Sequence, residues 1–184
     1  AQLLLQQEQI SVYAYTRQVG QVRWNRDYQD VPLDKIADYS LFCPDADYNR
    51  QMEEYIAAMK AGNDSCGALV GCVVTHLPFG LGMPVYHKFQ ADLAQTIMGI
   101  NAAKGFELGE GFRAAGMRGS NYNDLFSEKY RLQSNHDGGI QGGISNGENL
   151  CFSVAFKPIP GINQPQESCN EKGEKVLWQN GGRN

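Results

Sequence analysis

The chain has 184 residues, 42% of them hydrophobic and 20% charged, and a formal net charge of −4. That length allows one domain with a buried core, and the acidic balance gives no electrostatic support to a general nucleic-acid or membrane-surface role. No apolar run approaches the roughly 20 residues that span a bilayer, and the N-terminal AQLLLQQEQ lacks the basic flank and cleavage pattern of a secretory signal.

In chain order, residues 1–9 read as the end of a helix. Ile10 to Val22 alternates as a strand, with Ile10, Val12 and Ala14 on one face and Tyr13 and Tyr15 on the other. Arg23 to Asp47 is polar and turn-rich. Asp45 or Asp47 suits a helix N-cap; Met52, Tyr55, Ile56 and Met59 then follow at helical spacing, and Gly62 ends the run. Cys66 to Leu77 is apolar and β-branched, a strand. After the turn Pro78–Pro84, a second helix is predicted over Val85–Lys104 from Phe89, Leu93, Ile97 and Ile100, with Gly105 at its end. Strand-like stretches follow at Phe106–Phe112, Tyr130–Gln133 and Leu150–Phe156. Asn170-Glu171-Lys172-Gly173 reads as a hairpin turn into Lys175–Gln179. Alternating helices and strands place the chain in a mixed α/β or α+β class.

The five cysteines, Cys43, Cys66, Cys72, Cys151 and Cys169, form no CxxC and match no zinc spacing. They read as buried, reduced thiols of a cytosolic protein, with Cys66 and Cys72 on one strand face. The histidines, His76, His87 and His136, have no metal-ligand spacing, so no metal is expected. His76, in an apolar strand, reads as a core residue, and His136 as a rim residue.

The most informative segment is Ser134–Pro158, SNHDGGIQGGISNGENLCFSVAFKP, with five glycines between Gly138 and Gly147. Glycine at this density lets a backbone turn tightly and bring N–H groups close to a flat or anionic ligand. Lys157, just past the next strand, supplies a positive charge. The string resembles the flavin-binding region of chorismate synthase. Three further stretches are similar to the same family and lie in its order: LPFGLGMPVYHKF (Leu77–Phe89), GINAAKGFELGEGF (Gly99–Phe112) and GSNYND (Gly119–Asp124).

The resemblance implies a single α+β domain, 1–184, of the chorismate synthase β-α-β sandwich type, with helices packed between antiparallel sheets and incomplete in this chain. It implies a cytoplasmic lyase of the shikimate pathway, tetrameric, that uses reduced FMN to eliminate phosphate from 5-enolpyruvylshikimate 3-phosphate and form chorismate. By the same resemblance Asn101, Ala102, Gly142, Lys157, Pro158, Ile159, Pro160, Gly161 and Arg183 contact the cofactor. Asn101 offers an amide donor and acceptor; its other reading is a hydrogen bond near the helix end. Gly142 serves a ligand contact, a tight turn, or both. Lys157 opens a phosphate-binding loop, although Ile159 and Pro160 stand where the family usually has hydroxyls or small residues, and Pro160 has no N–H. Arg183 falls next to the last residue. Lys104, Arg118, Lys129 and Arg131 face an anionic substrate or are solvated surface charges.

The family's early His-Gly motif and its GRSSxRET motif, which supply catalytic histidine and substrate-binding arginines, do not occur in these residues, nor does the C-terminal tail. The catalytic residues of this chain are therefore unknown. Two readings stand: a chorismate synthase represented by part of its chain and inactive alone, or a module that only binds flavin or assembles an oligomer.

Overall fold

The computed structural model describes residues 2–128 and 131–179. A short helix α1 (Gln2–Gln7) leads into β1 (Ser11–Val19), which turns at Gly20 into β2 (Val22–Arg23). The stretch that follows, read as polar, forms short 3-10 turns at Tyr28–Asp30 and Leu33–Asp38. Helix α2 (Ala46–Ala61) starts where Asp45, in extended conformation, accepts the N–H groups of Asp47 and Tyr48 at 3.1 Å; it ends at Gly62. Of the two cap candidates in the sequence it is Asp45 that caps the helix, and Gly62 ends it as expected.

Strand β3 (Ala68–Thr75) is followed by α3 (Phe89–Met98), β4 (Ala103–Leu108) and a one-turn helix α4 (Gly119–Tyr122). The short strands β5 (Ile140–Gln141) and β6 (Ile144–Ser145) make a hairpin, and β7 (Leu150–Phe156) returns through the middle of the main sheet. The sheet is wholly antiparallel with order β2-β1-β3-β7-β4. A separate hairpin, β8 (Gln166–Cys169) with β9 (Lys175–Trp178), turns through Asn170 and Gly173.

The chain is thus α+β. Period-2 alternation sends successive residues of each strand to opposite faces, and two core clusters result. One holds Tyr15, Val19, Val73 and Cys151 against α2 (Met52, Ile56) and against Trp24, Val31, Ile36 and Cys43 from the irregular stretch. The other holds Cys72, Val74, Leu150 and Ile140 against Phe89 and Leu93 of α3 and Leu5 of α1.

Several expectations need correction. Helix α3 is shorter than Val85–Lys104 at both ends. His87 takes φ +58°, which an α-helix does not tolerate, and Gly99 caps the C-terminus with its N–H on the Gln95 carbonyl. The apolar spacing misled because Ile100 continues the pattern beyond the cap; it is 48% exposed. Strand β4 accordingly starts at Ala103. Among the described residues of Tyr130–Gln133, Leu132 makes only an isolated bridge with Phe126; Lys129 and Tyr130 lie outside them. His76 is exposed at φ +60°, one residue past β3, and not in the core. Cys66 precedes β3 and packs on the α2 side, whereas Cys72 packs on the α3 side; Cys169 is exposed.

Candidate functional site

Two sequence-distant stretches meet at one end of the β4–β7 pair. Ala102 adopts φ +69° in the turn between α3 and β4, and its carbonyl accepts the Lys157 N–H at 3.0 Å. The adjoining residues Ala103 and Phe156 are register partners, with a bulge between Ala103 and Gly105 that contains Lys104. Loop 157–161 is exposed. It is fastened from below by Ser65, whose hydroxyl donates 2.7 Å to the Ile159 carbonyl. The tie between Ala102 and Lys157 uses main-chain atoms only. The Asn101 amide and the Lys157 ammonium keep their hydrogen-bonding capacity, with no protein partner among the described residues. Pro158 and Pro160 have no N–H, and Ile162 N–H is spent on the Pro160 carbonyl; Ile159 and Gly161 therefore carry the loop's main-chain donors open to a ligand.

Gly142 sits elsewhere. Gly142 and Gly143 are the two central residues of the β5–β6 hairpin, at φ +60° and +91°, the left-handed conformations that a two-residue hairpin turn demands. The Gly143 carbonyl accepts the N–H of Phe89, the first residue of α3, at 2.8 Å. Gly142 is thus at the N-terminal end of α3 and Asn101-Ala102 just past its C-terminal end, separated by roughly 15 Å, the rise of ten helical residues. A side chain on Gly142 would meet nothing within 4 Å, so its turn faces open space. Asn101, Ala102 and Lys157–Gly161 are brought together; Gly142 is not part of that group. Arg183 lies outside the described residues.

The rest of the glycine-rich segment is framework. Asn135, buried, bridges its two ends: Oδ1 accepts the Gly139 N–H at 2.7 Å and Nδ2 donates to the Asn149 carbonyl at 2.8 Å. Gly138 backs onto β4 and β7 so closely that an added Cβ would lie 2.7 Å from Gly109 Cα and 2.8 Å from the Cys151 carbonyl. Ser145, 1% exposed, locks β6 to the Pro78–Gly82 turn. Its hydroxyl donates to the Pro78 carbonyl at 2.6 Å and accepts the Leu81 N–H at 2.8 Å.

A cluster unnoticed in the sequence lies beside the first Gly-Gly pair. The Asp124 carboxylate, with no exposed surface, accepts Ser134 Oγ (2.6 Å), His136 N–H (2.8 Å), His136 Nδ1 (2.8 Å) and Asp137 N–H (3.1 Å). Burial by itself pushes this carboxyl up; the Ser134, His136 and Asp137 hydrogen bonds and the nearby imidazole outweigh it and hold it below the ordinary carboxylate value. Tyr122 lies beside the His136 ring, centroids 5.8 Å apart and planes tilted by 30°, and donates to Asp137 at 2.8 Å. Burial, then this bond and the surrounding carboxylates, push the Tyr122 hydroxyl up to about 12. Asp124 and His136 both fall inside stretches the sequence singled out, but their pairing is a tertiary contact with no periodic signature. Among the described residues no group of three or more His, Cys, Asp or Glu could hold a metal ion, and no helix is long and apolar enough to cross a membrane.

Fold and site together define a class: an α+β protein on an antiparallel sheet, with side-chain-poor backbone turns at both ends of one packed helix. The family model for chorismate synthase matches residues 1–184, and the chain belongs to the chorismate synthase family. It is 42% identical over 174 residues to the chorismate synthase of Christiangramia forsetii, covering 95% of this chain and 49% of that protein. It is also 42% identical over 186 residues to that of Phocaeicola vulgatus, covering 100% and 52%. A crystal structure of chorismate synthase superimposes with a TM-score of 0.79 at 30% identity, over 86% of this chain and 53% of that one. The chain spans about half the length of the relatives it matches.

Proposed function

We propose that the chain carries cofactor-holding parts of a chorismate synthase, a lyase that eliminates phosphate from 5-enolpyruvylshikimate 3-phosphate with reduced FMN. The observation that carries the reading is the 3.0 Å bond from Lys157 N–H to the Ala102 carbonyl. It joins the two stretches that the resemblance assigns to the cofactor, and it does so without using their side chains. The residues present fit such a group: an amide at Asn101, a mobile point charge at Lys157, an open main-chain donor at Gly161, and uncrowded backbone at Gly142. Bound FMN supplies an electron-rich ring that can assist loss of a weakly acidic ring proton.

The protein's own work is binding and orientation. Lys157 and the Gly161 N–H hold a phosphate at the exposed loop, with Lys104 at the neighbouring bulge adding positive charge. Asn101 orients a polar edge, and the bare turn at Gly142 admits a flat group that a side chain would hold off. By the resemblance, the family's catalytic histidine and substrate-binding arginines belong to motifs that do not occur in these residues. In this reading the 184 residues are a partial chorismate synthase fold belonging to a cytoplasmic, tetrameric enzyme, inactive by themselves. The alternative, a module that binds flavin or assembles an oligomer without turnover, is favoured by one observation. Apolar side chains at Phe79, Val85, Tyr86, Phe112 and Leu177 are each at least two-thirds exposed, as expected of surface that another chain segment or subunit covers.

The test is titration of FMN, oxidised and reduced, into the chain and into Lys157→Ala. The proposal expects micromolar binding that Lys157→Ala weakens tenfold or more. Absence of binding to the unaltered chain, or equal binding by the variant, removes the cofactor role assigned to this loop. Phosphate release from 5-enolpyruvylshikimate 3-phosphate, measured in the complete enzyme with and without Lys157→Ala, then separates the enzyme from the module.

A further inference from the structure

The environment of His136 is more ordered than packing requires. The buried Asp124 carboxylate already has three donors in Ser134 Oγ and the two main-chain N–H groups of His136 and Asp137; the imidazole adds a fourth. A carboxylate held ionised accepts and cannot donate, so the bond at 2.8 Å puts the ring proton of neutral His136 on Nδ1. The ring plane is fixed on one side by Tyr122, itself tied to Asp137. The backbone is fixed by the Glu110 N–H, which donates to the His136 carbonyl at 2.9 Å. Nε2 is left with a lone pair, no hydrogen-bond partner among the described residues, and a side chain 25% exposed.

Asp124 is the carboxylate bonded to the ring, Asp137 is the next residue, and Glu110 is tied through its N–H to the His136 carbonyl. Arg113, on a 3-10 turn over Gly111–Gly116, is paired with Glu110 at 2.7 Å, and Tyr122 keeps its proton. A carboxylate behind an imidazole fixes the tautomer and stabilises the imidazolium that forms when the outer nitrogen is protonated. Ring position and tautomer both converge on one atom, Nε2.

We propose that Asp124 and His136 form an acid–base dyad in which His136 Nε2 accepts a proton from an O–H or N–H donor on the ligand side and Asp124 is its positioning residue. The donor's bond to hydrogen breaks, its electron pair stays with the donor, and the Nε2 lone pair takes the proton. The imidazolium formed is balanced by Asp124 and returns the proton to water from the same nitrogen. The inference rests on the function proposed above, because a reaction that strips a ring proton needs a path for that proton out of the site.

Two measurements test it. Nitrogen-15 NMR of the histidine rings in this chain is expected to show neutral His136 protonated at Nδ1 and bare at Nε2, with Asp124→Asn mixing the tautomers. Protonation at Nε2 in the unaltered chain overturns the dyad, whatever the reaction. In the complete enzyme, His136→Asn keeps an amide N–H for Asp124 and removes the outer nitrogen. Phosphate release should fall about 10- to 100-fold, with unchanged flavin affinity, and added free imidazole should restore part of it. An unchanged rate, or a loss that imidazole does not restore, overturns the proton-accepting role. If the unaltered enzyme releases no phosphate, the functional reading and the proton-accepting role built on it both fall, while the ring measurement still decides the dyad.

Discussion

Replacing Asp124 by Ala removes the acceptor of four hydrogen bonds at once. Ser134 Oγ can rotate to another partner, and the imidazole can turn toward water. The N–H groups of His136 and Asp137 cannot move without moving the entry to the glycine-rich segment. Each buried main-chain donor left unpaired costs about 1–3 kcal/mol. Part of this is offset because the carboxylate itself no longer has to be buried. The balance is a loss of about 3 kcal/mol, read as a lower urea midpoint at unchanged slope. Asp124→Asn keeps one acceptor oxygen and turns its amide toward the Asp137 N–H, so about half that loss is expected. The pH dependence gives a second readout. The folded carboxyl lies below its ordinary value of 3.8, so its contribution is complete above that value and is lost as pH falls through the depressed one. The difference between parent and Asp124→Ala should therefore be largest at neutral pH and narrow as pH falls through the depressed value. A difference under about 1 kcal/mol at neutral pH, or one that persists unchanged into acid, refutes the assignment of Asp124 as the organiser of this segment.

Two further outcomes are expected. Gly142→Ala should cost only about 1 kcal/mol for its left-handed backbone, since nothing lies within 4 Å of the new methyl group. Gly138→Ala should cost about 3 kcal/mol or prevent folding, because its methyl would collide with the Gly109 and Cys151 main chain; equal losses in a urea titration would contradict this geometry. A disulfide reagent at pH 8 should find one fast thiol, Cys169, in the native chain. Burial pushes Cys43 up to about 11 and Cys72 up to about 12 and raises Cys66 and Cys151 as well. A second fast thiol would place one of these nearer to solvent than described.

What could be read from the sequence divides along physical lines. Helix α2 was legible at both ends because its signals are local: a carboxylate that caps two N–H groups, four apolar residues at helical spacing, and a terminal glycine. Helix α3 was overextended because apolar spacing alone does not register a left-handed residue at His87 or a cap at Gly99. The stretch 23–47 was read as polar, yet Trp24, Val31, Ile36 and Cys43 from it are core. They are single apolar residues in irregular backbone and make no period to detect.

The candidate site depends on a still less local quantity. Asn101-Ala102 and Lys157 are more than fifty positions apart, and only the ladder that pairs Ala103 with Phe156 makes them neighbours. Register is what fixes that pairing, and a slip by one residue would turn every side chain of β7 to the opposite face. The register is held by Cys151, Ser153 and Ala155 facing one way and Leu150, Phe152 and Val154 the other, and by the bulge at Lys104 that absorbs one extra residue. Composition and motif spacing carry no information on such a bulge. They could nominate the lysine and the Asn-Ala pair separately, through resemblance, but the bond between them follows from how β4 and β7 align. A substitution that shifts the bulge, such as deletion of Lys104, acts on the site through this alignment and would part Ala102 from Lys157 while leaving every nominated residue in place.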